Sequence, residues 1–174
     1  MEHETDVAIR FLRDAAGQEE PFALMVSHNP PHQPFDLAPS THRHRYNKLP
    51  PAELLPRPNV EFDSAGGEEA VASAAQYFAA VSAVDEQVGR LLAEVSTLGM
   101  AQNTIVIFTS DHGMQLGSHG LMYKNVPCEE SMSIPFLIRW PERIPIGVDD
   151  STVISSMDFA PTLLGLVGIP APAD

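Results

Sequence analysis

The chain has 174 residues, of which 44% are hydrophobic, so it is long enough for one domain with a sizeable core and too apolar for wholesale disorder. Its formal net charge of −13 excludes the broad basic face that nucleic acid requires, whereas a few local cations and a metal can still hold an anionic substrate. One cysteine excludes an internal disulfide, and the sequence has neither a secretory leader nor a bilayer-length apolar run, which predicts no membrane partner and leaves the compartment open.

The N-terminal part of the chain is predicted to hold two helices, one strand and a long irregular segment. Residues 5–14 place apolar side chains on one helical face, and residues 22–27 form a short apolar run typical of a buried strand. Residues 35–64 are rich in proline and predict little regular structure; their basic cluster, His42–Arg45, fits either a substrate-facing rim or an ordinary solvated loop. Residues 67–98 carry apolar side chains at helical spacing and predict the clearest helix.

Shorter elements are predicted in the C-terminal part of the chain. Apolar runs bounded by polar residues or proline indicate strands, and an apolar stretch that follows an N-cap residue indicates a final helix. The expected elements are strands at 104–108, 134–140 and 153–155, a short helix or turn at 128–133, and a helix at 159–167 with Asp158 as its cap.

An aspartate and a histidine follow the predicted strand at 104–108. Asp111 and His112 come at its carboxyl end, where open α/β sheets place their ligand sites. Carboxylate oxygen and imidazole nitrogen are both ligands of divalent cations, so the pair is a candidate metal site. An aspartate that caps a turn beside a solvated histidine is the alternative explanation of the same pattern.

Three further basic side chains lie in loops that follow predicted strands. His119 and Lys124 belong to the glycine-rich loop after the aspartate–histidine pair. A metal and cations that face one pocket would stabilise the charge of an anionic ester during its cleavage. His32 lies in the proline-rich segment His28–Pro34, which is stiff enough to hold an imidazole in one orientation, although a lone loop histidine is more often without function.

Four segments, in order along nearly the whole chain, resemble motifs of the sulfatase family of the alkaline phosphatase superfamily. Two of them resemble the Pro-His-x-Pro and Asp-x-x-Pro-Thr-Leu-Leu segments of that family. The other two surround the candidate metal site and the strand that follows it. The segments are NPPHQPF at 29–35, TSDHG with SHGLMYK at 109–124, SIPFLIRWP at 133–141, and DFAPTLL at 158–164.

The resemblance implies an α/β fold in which this chain forms part of an alkaline-phosphatase-like sandwich, with a mostly parallel central sheet flanked by helices. It implies that Asp111 and His112 are ligands of a divalent metal, usually calcium. It also implies that His32 and Lys124 contact the sulfate group. His119 is expected near the site, where it would either contact the ester oxygen as a third catalytic residue or only pack the loop.

Two motifs of the family do not occur in the chain. One is an early strand that ends in paired aspartates, and the other is Cys-x-Pro-x-Arg or its serine version, whose first residue becomes the formylglycine nucleophile. Cys128 lies in a different segment, in which Glu129 or Glu130 is expected to orient the loop. We therefore expect residues 1–174 to be a single partial catalytic domain, without the nucleophile half and without the smaller C-terminal subdomain of the family.

The function expected from the resemblance is arylsulfatase-like hydrolysis of a small-molecule or carbohydrate sulfate ester. This chain would supply part of the metal and sulfate site and would be inactive by itself. Two alternatives share the same motifs: a sulfatase-like remnant that only binds partners, and a phosphate or phosphonate ester hydrolase of the same superfamily. Because a partial sheet would leave edges unpaired, we also expect a homo-oligomer that covers them.

Overall fold

The computed structural model of the protein describes residues 1–141, 143–149 and 151–170. They fall into two units, Met1–Arg143 and Ile144–Asp174. The first unit contains all of the candidate site residues. Within the described ranges, no helix is both long and apolar enough to cross a membrane.

Among the described residues, the first unit contains five helices and two strands, and the second unit contains one helix. Two short 3₁₀ turns, Phe35–Leu37 and Ala101–Asn103, precede α2 and β1 respectively. The elements are α1 (Glu2–Ala16), α2 (Ser40–Tyr46), α3 (Pro51–Leu54), α4 (Ala65–Thr97), β1 (Val106–Thr109), α5 (Glu129–Met132) and β2 (Phe136–Arg139) in the first unit, and α6 (Ser156–Leu166) in the second.

Helix α4 is the element against which the rest of the first unit packs. The Ser64 side chain caps its start by accepting the Gly67 N–H at 3.0 Å. Its buried face is made largely of alanines, of which Ala70 and Ala74 are fully buried. Because these side chains are small, neighbouring helices and loops can pack close to the axis of α4.

Helix α1 lies along α4 and is tied to it by charge as well as by apolar contact. Its buried residues are Thr5, Ala8 and Leu12. Arg13 forms a two-pronged pair with Glu94, at 2.7 Å and 3.1 Å. Arg90 donates to Asp6 at 2.6 Å. The α1 prediction is confirmed, and the helix is longer than predicted at both ends.

Residues 35–64 contain more regular structure than predicted. Helices α2 and α3 lie within this segment, so the His42–Arg45 cluster lies on a helix rather than in a loop. The reason is tertiary: the Tyr46 ring packs against Phe78 with ring centroids 6.0 Å apart, and its hydroxyl hydrogen-bonds to Ser82 at 2.6 Å. Contacts with α4 therefore stabilise a short helix that its proline-flanked sequence does not indicate.

Two predicted strands are wrong, and two are confirmed. Residues 22–27 and 153–155 have no strand, because neither run forms a ladder with another segment among the described residues. Strands β1 and β2 pair with each other in the register Val106↔Arg139 to Thr109↔Phe136. A mostly parallel sheet was expected, but β1 and β2 pair in antiparallel orientation. The reason is that residues 110–135 turn the chain back along β1.

The final helix begins earlier than predicted. Ser155, not Asp158, is its N-cap residue, and α6 starts at Ser156. The Ser155 side chain accepts the Met157 N–H at 3.3 Å, while the Asp158 carboxylate accepts the Ser155 N–H at 2.7 Å. This reciprocal arrangement is a capping box in which aspartate takes the place that glutamate or glutamine more often occupies.

The segment after β1 is packed into the core rather than loose on the surface. We call residues 113–124 the site loop. Met114, Leu116 and Met122 of this loop are buried against α3 and α4. Gly66 of α4 permits the approach, since a Cβ at this position would lie 2.3 Å from the Gly120 carbonyl oxygen. His119 and Lys124 are therefore carried by a loop that packs against the core.

Candidate functional site

Asp111 and His112 follow β1 after one intervening residue, Ser110, at the end from which the chain leaves the sheet. Asp111 Oδ1 accepts the His112 N–H at 2.9 Å and the Ser110 hydroxyl at 3.3 Å. The side chain is 83% exposed, and its Oδ2 lies 3.5 Å from His112 Nε2. Burial opposes ionisation of this carboxyl, but the His112 charge and the hydrogen bonds outweigh it and hold the pKa of Asp111 below its ordinary value of 3.8.

The hydrogen bonds of His112 leave one ring nitrogen ready for a metal. Its Nδ1 lies 2.8 Å from the Gly113 carbonyl oxygen, and because a carbonyl only accepts, Nδ1 must carry the proton. The neutral ring then presents its lone pair at Nε2, which is the form in which histidine ligates metals. Asp111 Oδ2 and this nitrogen are close enough to reach one cation together.

The residues present fit a divalent cation in chemical type but not in number. Calcium takes about six to eight oxygen ligands. No group of three or more histidine, cysteine, aspartate or glutamate side chains is arranged to hold a metal in the part of the chain that the structure describes. Asp111 and His112 are therefore at most a partial ligand set.

The site loop is held by a ladder of its own backbone hydrogen bonds. Gln115, Leu116 and Gly117 donate to the carbonyls of Tyr123, Met122 and Leu121, at 2.9, 3.1 and 2.8 Å. The backbone adopts positive φ angles at four positions of this turn, of which two are not glycine: Leu116 (47°), Gly117 (86°), His119 (55°) and Gly120 (68°). Positive φ is uncommon outside glycine, so the surrounding structure must hold this turn in place.

A second segment, residues 59–61, pairs with the tip of the site loop. Val60 and Ser118 form an antiparallel bridge. On either side of it, His119 N–H donates to the Asn59 carbonyl at 2.9 Å and Glu61 N–H donates to the Gly117 carbonyl at 3.0 Å. This pairing places the Asn59 side chain beside the His119 ring.

His119, Asn59 and Glu130 form a hydrogen-bonded cluster. The Asn59 side-chain nitrogen lies 3.0 Å from His119 Nε2 and also contacts Glu130 Oε1. Glu130 Oε2 lies 3.5 Å from the same ring nitrogen. The hydrogen bond from Asn59 holds the pKa of Glu130 below its ordinary value, with smaller contributions from the charges of His119 and Arg57. Of the two expected glutamates, Glu130 is the one that faces the loop.

Lys124 and His32 make few contacts. Lys124 is partly buried, and it has no ion pair with a carboxylate among the described residues. His32 is exposed; its N–H donates to the Asn29 carbonyl at 3.0 Å and its Nδ1 to the Gln33 carbonyl at 2.9 Å. The contact with the Gln33 carbonyl is the one side-chain hydrogen bond of His32 among the described residues.

Of the five predicted site residues, only Asp111 and His112 contact each other through a hydrogen bond or ion pair in the described part of the chain. Asp111 with His112 is one group, His119 with its two partners is another, and Lys124 and His32 have no hydrogen bond to either group. Asn59 was missed by the sequence analysis. No local pattern marks it, because it reaches His119 only through pairing between segments that are sixty positions apart.

Comparison with known proteins identifies the class to which this fold and site belong. The model of the family described as Sulfatase matches residues 2–169. An endo-4-O-sulfatase from Bacteroides thetaiotaomicron is 38% identical over 96% of this chain and 33% of its own length. The crystal structure of a sulfatase from Bacteroides fragilis superimposes with a TM-score of 0.89 at 36% identity, covering 95% of this chain and 36% of that one.

A third comparison includes a bound substrate. A solved complex with D-glucosamine-2-N,6-O-disulfate is 39% identical, with a TM-score of 0.59, over 62% of this chain and 22% of the other. Taken together, these matches define part of an alkaline-phosphatase-like α/β domain. Within that class, the chain belongs to the sulfatase family, whose members are sulfuric ester hydrolases. It spans about one third of the length of the relatives that it matches along nearly its whole length.

Proposed function

We propose that this chain supplies part of the metal site and part of the sulfate site of an enzyme that hydrolyses sulfate esters of carbohydrates. One observation carries the proposal. The chain matches the sulfatase family over residues 2–169. In it, Asp111 and His112, whose Nε2 is free to ligate a metal, follow β1 and lead into the site loop that bears His119 and Lys124.

Lys124 is proposed to bind the sulfate group. The chain carries a formal charge of −13, yet no described carboxylate neutralises this ammonium. A compact point charge with three donors suits a tetrahedral oxyanion, which lacks the planar geometry that arginine matches. Stabilising charge on the sulfate oxygens would contribute most in the transition state, where the ester bond breaks and charge develops.

His32 is proposed as the second sulfate ligand. Because its Nδ1 donates to the Gln33 carbonyl, the nitrogen left for an anion is Nε2. A neutral ring would present a lone pair there, which repels a sulfate oxygen. Contact with sulfate therefore requires the imidazolium form, whose Nε2–H donates and whose charge adds to that of Lys124.

Asp111 Oδ2 and His112 Nε2 are proposed to hold a divalent cation, with calcium the expected ion. When bound, the cation would neutralise charge on the ester and activate the nucleophile. The role of this chain is to keep both ligands in the correct state. The Gly113 carbonyl fixes the His112 tautomer, and the hydrogen bonds to Asp111 Oδ1 favour the carboxylate.

The carbohydrate part of the proposal comes from the relatives. One of the solved structures holds a disulfated glucosamine described as its substrate. The proposal extends to the class of ester and not to a particular saccharide.

The 174-residue chain by itself is proposed to lack turnover and to bind metal weakly. Its sequence contains no Cys-x-Pro-x-Arg or Ser-x-Pro-x-Arg segment to become formylglycine, and two metal ligands are too few for tight calcium binding. Removal of calcium by a chelator should therefore leave the unfolding curve of this chain unchanged.

The test is a comparison of two proteins on two substrates. The complete product of the reading frame that encodes this chain is expressed together with a formylglycine-generating enzyme, and the isolated chain is purified in parallel. We expect the complete product to hydrolyse an aryl sulfate faster than the matching aryl phosphate, and the isolated chain to hydrolyse neither. A preference for the phosphate would contradict the proposal, as would a complete product without any esterase activity.

A further inference from the structure

The cluster around His119 constrains where the protons are. The Asn59 side-chain nitrogen contacts Glu130 Oε1, and an ionised carboxylate has no hydrogen to donate. Asn59 must therefore present its NH₂ group, not its carbonyl oxygen, toward Glu130. The chemistry of the carboxylate therefore assigns which atom of the amide faces Glu130.

The second hydrogen of the same NH₂ group is directed at His119. Asn59 Nδ2 lies 3.0 Å from His119 Nε2. Because this amide nitrogen can only donate, Nε2 must accept, and it therefore has no proton in the neutral ring. Glu130 Oε2 lies 3.5 Å from Nε2, which is beyond a good hydrogen-bond distance, so the contact from Asn59 is the one that assigns the tautomer.

We propose that Asn59 and Glu130 are positioning residues that hold His119 as the Nδ1–H tautomer, so that Nδ1–H is the donor offered to an oxygen of a bound sulfate ester. The contact with the ester rests on the proposed function, whereas the tautomer follows from the hydrogen bonds of the cluster alone. An exposed imidazole in water prefers its proton on Nε2, so the cluster works against the intrinsic preference of the ring.

The backbone supports this assignment. His119 has a positive φ of 55°, and its N–H donates to the carbonyl of the same Asn59 whose side chain contacts the ring. The backbone carbonyl and the side-chain amide of Asn59 therefore both hydrogen-bond to His119. The His119 side chain is 50% exposed, whereas the Glu130 side chain is only 11% exposed. The ring can thus reach a ligand, while the carboxylate that anchors Asn59 is largely buried.

Glu130 is itself held from behind. It lies on α5, where Ser131 accepts the side-chain nitrogen of the fully buried Gln115 at 2.8 Å. The Ser131 carbonyl accepts the Gly113 N–H at 2.8 Å. A Cβ at Gly113 would lie 2.1 Å from the Glu130 carbonyl oxygen, so α5 packs directly on the start of the site loop. The carboxylate is therefore a fixed anchor for Asn59.

Histidine NMR tests the proposal without any need for activity. Long-range ¹H–¹⁵N correlation spectra of the ¹⁵N-labelled chain, recorded where the imidazoles are neutral, show which ring nitrogen carries the proton. Comparison with His119→Gln identifies the His119 signals. We expect His119 to be mainly the Nδ1–H form. His44, whose Nδ1 donates to the Ser40 carbonyl at 2.7 Å, is the internal reference for that form, and exposed His3 is the reference for an unrestrained ring.

Two variants separate positioning from mere packing. Asn59→Asp replaces the donor by an acceptor of nearly the same shape, and we expect the tautomer ratio to reverse in favour of Nε2–H. Asn59→Ala removes the donor, and we expect the ratio to move to that of His3. Asn47→Asp adds the same charge at an exposed position after α2 and should leave His119 unchanged. Backbone spectra check that each variant is folded.

Two results would overturn the proposal. One is a wild-type His119 that resembles His3 or is mainly Nε2–H, a measurement that depends on no variant. The other is a folded Asn59→Asp chain in which His119 keeps the wild-type ratio. Neither result affects the proposed sulfatase activity, which the turnover comparison decides separately. Conversely, a confirmed Nδ1–H tautomer in a protein without turnover would contradict only the contact between His119 and the sulfate ester.

Discussion

Gly67 lies where helix α4 meets the segment that carries Asn59, and its replacement by alanine should destabilise the protein. A Cβ at this position would lie 1.9 Å from the Glu61 carbonyl oxygen and 2.9 Å from the Phe62 Cα. Both obstacles are backbone atoms, so no side chain can rotate away. Gly89 lies in the same helix and is exposed, and a Cβ there would have no atom within 4 Å. Gly89→Ala is therefore the matched control.

The two substitutions should have opposite effects on the free energy of unfolding. In a helix interior, alanine is favoured over glycine by about 1 kcal/mol, so Gly89→Ala should stabilise by about that amount. Gly67→Ala would gain less because it lies in the first turn, and it must displace Glu61. Overpacking costs about 1–3 kcal/mol, and disturbance of the Ser64 cap that Glu61 anchors costs about 1 kcal/mol more. We expect a net loss of about 2–3 kcal/mol.

Urea unfolding followed by far-UV circular dichroism measures both changes in one experiment. The slope of free energy against urea should be the same for wild type and both variants, which licenses the comparison of midpoints. The predicted order of midpoints is Gly89→Ala, wild type, Gly67→Ala. A Gly67→Ala protein as stable as wild type would refute the close approach of residues 61–62 to α4, and with it the packing that brings Asn59 to His119.

Two further predictions concern the packing of α1 and α2 on α4. The hydrogen bond from Arg13 lowers the pKa of Glu94 below its ordinary value of 4.5, so this pair stabilises the fold above that value and the contribution is lost as pH falls through the folded-state pKa. Arg13→Gln should therefore be less stable than wild type at neutral pH and equally stable in acid. The control, exposed Arg10→Gln, should match the stability of wild type throughout. A stability difference between Arg13→Gln and wild type that persists in acid would contradict the ion pair with Glu94. Tyr46→Phe should lower the free energy of unfolding in urea by about 1 kcal/mol, because it leaves the Ser82 hydroxyl without its partner. Adding Ser82→Ala to this variant should lower the free energy of unfolding by less than Ser82→Ala does in wild type. Strict additivity of the two losses would show that the two hydroxyls do not interact.

Local patterns in the sequence predicted the elements that depend on local signals. The long helix begins at Ala65 and ends at Thr97, within two residues of the prediction, because apolar spacing and the glycine after it are both local features. Strand β1 and the aspartate–histidine pair at its end were found for the same reason.

What the sequence did not reveal depends on contacts between distant segments. Helix α2 is flanked by proline and owes its stability to Tyr46 packing on α4, and the run at 22–27 is apolar but has no strand partner in the described chain. His119 was predicted as a site residue from its motif, whereas Asn59 was not predicted. Its contact with His119 depends on pairing across sixty positions, and no periodicity or motif records such a pairing.

The chain contains two lysines, and they provide the most direct test of its place in a sulfatase site. In the complete reading-frame product, Lys124→Ala should lower aryl sulfate turnover by about 10²–10³-fold, the usual cost of losing one group that stabilises developing negative charge. Lys48→Ala removes the same charge from an exposed position after α2 and should leave turnover unchanged. Equal turnover in the two variants would contradict the account, because Lys124 would then be an ordinary surface cation rather than a sulfate ligand.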